Sequence, residues 1–205
     1  TWWGAPAGHW LAHPNIGDWI GAPNDAEEMA ENISYLLQYI RKTLGYNCVK
    51  ELIIQNEPSY SFHVEGGAVD LDLYVACYKA MYKRLNDMGM GDIVLVGADD
   101  AQNFGWFCSA VEALRDVCGK FNSHNYAWSY NHPFLDVVSQ EFVSVRTALA
   151  GDTPFFLGEF GDGSGIGAYY AASTETYGRG LYIASVVVNS FKAGAAGASY
   201  WPLHD

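Results

Sequence analysis

The chain has 205 residues, half of them apolar and 15% aromatic, which is ample for a folded core and excludes a disordered polypeptide. Its net charge of −12 argues against nucleic acid or an anionic membrane surface as partner. The basic residues are scattered, with no run longer than Arg41-Lys42 or Lys83-Arg84, and solubility alone accounts for the acidity.

The opening at Thr1-Trp2-Trp3 reads as a strand, followed by a loop rich in Gly, Pro, Trp and His over about 4–24. A helix is expected from Asp25, with Glu28 placed for a capping box and Gly45 as terminator. Its apolar stripe is Met29, Ile33, Leu36, Leu37 and Ile40. A strand follows at Glu51–Gln55. The next helix carries Leu71, Tyr74, Val75, Tyr78, Met81, Tyr82 and Leu85 and stops near Gly89. Then come a strand at Asp92–Gly97, a helix at Phe104–Cys118 and a strand at Phe121–Tyr126. A helix at Leu135–Ala150, a strand at Pro154–Phe160, a helix at Thr174–Lys192 and a strand at Ala198–Trp201 complete the order.

Strand starts from 51 onward are 29 to 43 residues apart, the length of βαβ steps. The apolar strands point to a parallel sheet covered by helices, in one domain spanning 1–205. Cys108 and Cys118 fall on one expected helix, ~15 Å apart and too far for a disulfide. No Cys-x-x-Cys is present, so Cys48, Cys77, Cys108 and Cys118 read as buried free thiols. No leader or membrane-spanning run is visible, and the abrupt ends suit a fragment.

Two apolar runs end in a carboxylate: Asn56-Glu57-Pro58 closes one, and Gly158-Glu159-Phe160-Gly161 closes the other. In a barrel of parallel strands, residues at the carboxyl ends face the substrate. Two such glutamates suit glycosidic bond cleavage, with one carboxyl donating a proton and the other attacking or assisting. Either one, alone, could equally be an ion-paired or helix-capping carboxylate.

With those residues placed, the chain resembles the later three quarters of a clan A glycoside hydrolase. These are retaining (β/α)8-barrel (TIM-barrel) enzymes of the cellulase superfamily, including families 5, 39 and 30. The resemblance rests on four strand ends in order: Asn56-Glu57-Pro58, Ser123-His124-Asn125-Tyr126, Gly158-Glu159-Phe160-Gly161 and Ser199-Tyr200-Trp201. It implies an incomplete barrel of about strands 3 to 8, whose missing strands come from the same chain or another.

The resemblance also implies roles. Glu57 is the general acid and then the base, and Glu159 is the nucleophile of a double displacement, which requires ~5 Å between the carboxyl groups. Asn56 holds the sugar 2-hydroxyl, Tyr126 hydrogen-bonds Glu159, His124 lines the same pocket, and Trp201 floors the sugar site. Trp3 stands where many family 5 members carry a histidine before Gly-Ala-Pro, which points away from that family within the clan. The substrate is then a β-linked polysaccharide or oligosaccharide, with no metal or organic cofactor, in an extracellular or periplasmic setting.

Other signals are weaker. Trp10, Trp19, Trp106 and Trp128 follow strand ends and could stack on sugar or plug loops, with Trp128 the best placed for sugar. His9 and His13 are four apart, but Gly8 and Pro14 flank them, against a helical metal site. Asp99-Asp100 either contacts substrate or, preferably, caps the following helix. Gly163 to Ala168 matches a dinucleotide pattern without its acidic partner, and reads as a loop over the active site, with 59–68 also shaping subsites. The rival readings are a barrel that binds carbohydrate without cleaving it, and a metal-dependent barrel hydrolase using His124, His132 and nearby aspartates. Six strands cannot close a barrel of eight, so these residues alone are expected to aggregate or self-pair through open edges.

Overall fold

A computed structural model describes Pro23 and residues 25–59, 69–128, 132–161 and 177–201. Trp3, Trp10, Trp19, His9, His13, the Gly163–Ala168 loop and most of 59–68 lie outside the described residues. The chain divides into two compact units, Thr1–Lys120 and Phe121–Asp205.

In the first unit, α1 (Ala26–Gln38) starts at Asp25, whose side chain accepts the Glu28 N–H at 2.9 Å. Such a cap satisfies one of the helix's orphan donors and is worth ~1 kcal/mol. A π-turn at Tyr39–Thr43 follows, and Gly45 takes a left-handed φ of 75° that costs a glycine little. Of the expected stripe, Met29 and Leu37 are buried and Ile33 and Ile40 half-buried, whereas Leu36 is exposed and Ala30 and Ser34 complete the buried face. Small Ala30 and Ser34 let α1 lie close against α2 (Leu71–Asp87), which turns Leu36 out to solvent. On α2, Tyr74, Cys77, Tyr78, Met81 and Leu85 are buried, whereas Tyr82 is exposed.

Strands β1 (Glu51–Leu52) and β2 (Val94–Ala101) pair in parallel, Glu51 opposite Val94. The first is shorter than its apolar run because a side chain interrupts the ladder. The Tyr78 hydroxyl donates to the Val96 carbonyl at 2.6 Å and accepts from the Ile54 N–H at 3.4 Å. Burial pushes the Tyr74 and Tyr78 phenols well above their ordinary value, so both stay neutral donors. Helix α3 (Phe104–Leu114) is capped by Asn103, which accepts the Trp106 N–H at 3.0 Å. It ends before Cys118, which lies in a turn closed on the Leu114 carbonyl, so the two cysteines do not share a helix. All four thiols are free, with Cys77 and Cys118 buried, Cys108 half-buried and Cys48 exposed, contrary to the expectation of four buried thiols. Burial pushes Cys77 up to about 12 and raises Cys118 as well.

In the second unit, β3 (Lys120–Asn125), β4 (Phe155–Phe160) and β5 (Gly197–Tyr200) run parallel, with β4 between its neighbours. Helices α4 (Leu135–Ala150) and α5 (Tyr177–Lys192) supply the crossovers. They are tied together by Asp136, which accepts from Ser185 at 2.6 Å and Asn189 at 2.7 Å. Those two donors hold its carboxyl below the usual carboxylate range. The core is Trp128, Leu157, Phe160, Tyr182 and Val186, each large side chain contributing ~1.5–3 kcal/mol by leaving water. Among the described residues, no helix is long and apolar enough to cross a membrane.

Candidate active site

Strand β4 carries Glu159 one residue from its end, and strand geometry alone would aim it wrongly. Successive residues alternate faces, so Glu159 should share the face of Phe155 and Leu157. That face is buried against α5, where Leu157 meets Tyr182 and Val186. The structure avoids this with an extra residue in β4. Opposite β3, Ser123 pairs Leu157 and His124 pairs Glu159, which leaves Gly158 unmatched. Opposite β5, Leu157 pairs Ala198 and Phe160 pairs Tyr200, so β4 again holds one residue too many. A bulge of this kind shifts the phase of the strand and redirects the side chains after it. Phe160 therefore rejoins Leu157 in the core, and Glu159 turns to the opposite face.

Two residues of β3 and the segment after it meet Glu159 there. The Tyr126 hydroxyl donates to Glu159 Oε2 at 2.7 Å, the pairing implied by the resemblance. His124 Nδ1 lies 3.4 Å from the same oxygen and the histidine is 2% exposed, whereas the Glu159 side chain is 22% exposed. A hydroxyl donor favours the ionised carboxylate. Two glycines make the arrangement possible. A Cβ on Gly158 would stand 2.5 Å from Asn122 Nδ2, and one on Gly161 would stand 2.8 Å from both the Trp201 carbonyl oxygen and the Tyr126 ring.

Glu57 leaves its strand differently. Past Leu52 the backbone no longer pairs, and Glu57 itself adopts a left-handed φ of 46°. That is unfavourable for a side chain with a Cβ, and doubly so before a proline, which pushes its predecessor toward extended geometry. The turn is held from β2. Asp99 Oδ2 accepts the Glu57 N–H at 3.3 Å, and Ser59 Oγ accepts the Ala101 N–H at 3.0 Å.

The other sequence-derived candidates fall as follows. Asn56 is 3% exposed, and its Oδ1 has no hydrogen-bond partner among the described residues. Trp201 follows β5, is 51% exposed, and donates its backbone N–H to Phe160 at 2.9 Å. Trp128 is a correction: its ring packs edge-on against Phe142 inside the core, which serves packing rather than sugar stacking. Trp106 likewise packs on the Tyr74 ring and donates to the Ala98 carbonyl. His132 Nδ1 accepts the Phe134 N–H at the start of α4. Asp99 and Asp100 do not cap α3, since Asn103 does; both are fully buried within β2. The support that Asp99 and Ser59 give Glu57 is not written in the sequence, because no residue pattern announces a left-handed glutamate.

No protein-family model matches the sequence, and no curated protein does either. Solved structures do match. The GH39 enzyme from Xanthomonas axonopodis pv. citri superposes with a TM-score of 0.72 at 15% identity, over 96% of this chain and 41% of that one. A monomeric beta-xylosidase from Caulobacter crescentus gives 0.68 at 15% identity, over 87% and 39%. The catalytic domain of GH30 xylanase C from Talaromyces cellulolyticus gives 0.59 at 15% identity, over 97% and 45%. The chain thus spans about two fifths of the length of the structures it matches. At this identity the likeness speaks to architecture alone. The fold is the (β/α)8 barrel of these glycoside hydrolase structures, of which this chain forms an incomplete part.

Proposed function

We propose that this protein is a retaining β-glycosidase that hydrolyses a β-linked polysaccharide or oligosaccharide. The observation that carries the reading is Glu159, redirected off the core face by the β4 bulge and held by the Tyr126 hydroxyl at 2.7 Å. In the proposed reaction the Glu159 carboxylate attacks the anomeric carbon while the glycosidic C–O bond breaks. Glu57 gives its proton to the departing oxygen. Glu57 then takes a proton from water as that water attacks the anomeric carbon and releases Glu159. The Tyr126 donor supports this split, because it favours the charged form a nucleophile needs.

Asn56 holds the 2-hydroxyl, His124 lines the pocket, and Trp201 offers its exposed face to the sugar; Trp3, outside the described residues, is proposed as a further substrate-binding residue. The proposal treats 1–205 as part of one catalytic domain whose remaining strands lie in the same chain or another. It needs no cofactor, and a polymeric substrate sets it outside the cytoplasm.

The test is a 2-deoxy-2-fluoro glycoside, in the gluco and xylo series, incubated with the full-length protein and followed by peptide mass spectrometry. The label is expected on Glu159. Product anomers read by NMR on β-glucan, mannan, xylan and β-galactoside substrates are expected to retain configuration. Labelling at another residue, or inversion, overturns the assignment, and binding of oligosaccharide without turnover favours a non-catalytic carbohydrate-binding barrel.

A further inference from the structure

The carboxyl end of β2 is the most contorted backbone among the described residues. Ala98, Asp99 and Gln102 take left-handed φ values of 67°, 48° and 60°, and none of them is glycine. Ala98 and Asp99 are fully buried, so the contortion is not that of a loose surface loop. Each such residue costs ~1–3 kcal/mol relative to relaxed geometry and persists only where neighbours enforce it. The enforcers are visible. The Ala98 carbonyl accepts from the Tyr74 hydroxyl at 3.2 Å and from Trp106 Nε1 at 3.4 Å. With Ala98 fixed, the chain turns Asp99 so that its Oδ2 meets the Glu57 N–H at 3.3 Å. Two positions on, the Ala101 N–H reaches Ser59 Oγ at 3.0 Å. The β2 end therefore grips the 57–59 turn at both of its ends.

We infer that Asp99 is a positioning residue for Glu57: its buried carboxylate clamps the backbone of the acid/base in the left-handed turn that sets the direction of the Glu57 side chain. This rests on the glycosidase reading above and deepens it. A carboxylate suits the task because it is a stronger acceptor than an amide oxygen. The local sequence pulls the other way, since Pro58 drives Glu57 toward extended geometry. Without the acceptor on Asp99, Glu57 relaxes and its carboxyl swings off line.

A misaligned acid is detected by what it must protonate. A phenyl or sugar leaving group needs the proton, whereas 2,4-dinitrophenolate departs without one. For the full-length protein, kcat/KM is measured on phenyl and 2,4-dinitrophenyl β-D-xylosides and β-D-glucosides, for wild type, Asp99→Ala, Asp99→Asn and Glu57→Gln. Asp99→Ala is expected to lose roughly 10- to 100-fold on the phenyl glycosides and at most about 3-fold on the dinitrophenyl ones. Asp99→Asn, which keeps an acceptor oxygen, recovers most of that loss.

Equal losses on both leaving groups for Asp99→Ala, while Glu57→Gln discriminates between them, overturn the role of Asp99 and leave the glycosidase reading standing. If Glu57→Gln fails to discriminate, or wild type cleaves neither these four nor any polysaccharide of the screen above, the glycosidase reading falls and this one with it. A crystal structure of Asp99→Ala supplies a readout independent of activity. Glu57 is expected at negative φ there, and an unchanged left-handed Glu57 refutes the clamp.

Discussion

At Glu57 the strand stops early and the backbone bends; at Glu159 the strand continues and gains a residue. The first solution puts a left-handed φ on the glutamate itself and holds its turn from the neighbouring strand end, where Asp99 accepts the Glu57 N–H and the Ala101 N–H donates to Ser59. The second leaves no positive φ on Glu159 and moves the irregularity onto Gly158, beside an asparagine amide that a Cβ would strike. Both escape the same constraint, because a period-two strand permits only two directions and one of them is the core. The difference teaches where each site is fragile. The Glu57 end depends on a distant acceptor, whereas the Glu159 end depends on local space.

The largest expected effect separates the two carboxyls themselves. Glu159→Ala should lower kcat roughly 10⁴-fold or more on every substrate, as loss of a nucleophile does. Glu57→Ala should lower kcat/KM comparably only where the leaving group needs a proton, because kcat/KM on an activated glycoside reports the first step alone, whereas kcat falls on both through the lost base. Steady-state kinetics on activated and unactivated glycosides checks this, and equal behaviour of the two variants would erase the distinction.

An intermediate effect tests the claim of local space. At Gly161 a new Cβ meets a backbone carbonyl oxygen that has no rotamer to escape into, so Gly161→Ala should destabilise by about 1–3 kcal/mol and displace Tyr126. At Gly158 the nearest atom is the amide end of Asn122, which can rotate, so Gly158→Ala should cost less. Adding Asn122→Ala to Gly158→Ala should recover part of the loss, read as urea midpoints in a double-mutant cycle. If the two glycine variants cost the same, the contrast between rigid and yielding neighbours is wrong.

The smallest effect concerns alkali. Tyr74 and Tyr78 support the Glu57 end as buried phenols raised well above their ordinary value. In the unfolded chain they ionise near ~10. Their contribution is complete below that pH and declines above it, because the unfolded state then releases protons that the folded state retains. Absorbance at 295 nm against pH should show these two tyrosines ionising only with unfolding. Ionisation before the far-ultraviolet signal changes would contradict their place in the fold.

Much of this arrangement is legible in the residues. Leu135–Ala150 is a helix with the expected bounds, and Phe160 closes β4 where expected. Apolar periodicity and terminators mark elements well, and the two glutamates stand at the ends of apolar runs. What periodicity does not carry is backbone irregularity. The run at 51–55 looks like five residues of strand and forms two, because a tyrosine from α2 occupies the ladder. The bulge at Gly158 leaves no trace, since glycine in a strand has several meanings. Trp128 reads as an exposed aromatic only if its turn leaves the core, and Phe142 on α4 draws it in. Asp99 reads as a cap because Asp before a helix commonly is one, yet Asn103 lies closer to the helix start.

The Tyr78 hydroxyl has an implication for tolerance to drift. In an ordinary core, exchanging tyrosine for phenylalanine is among the mildest substitutions, and a surveyor of aromatic positions would mark 78 as freely interchangeable. Here one oxygen atom serves a donor just past the end of β1 and an acceptor within β2. Erasing it strands two inaccessible main-chain groups, a penalty of roughly 1–3 kcal/mol for each. The helix that carries Tyr78 is thus bound to keep a phenol for as long as the bend leading to Glu57 is to survive.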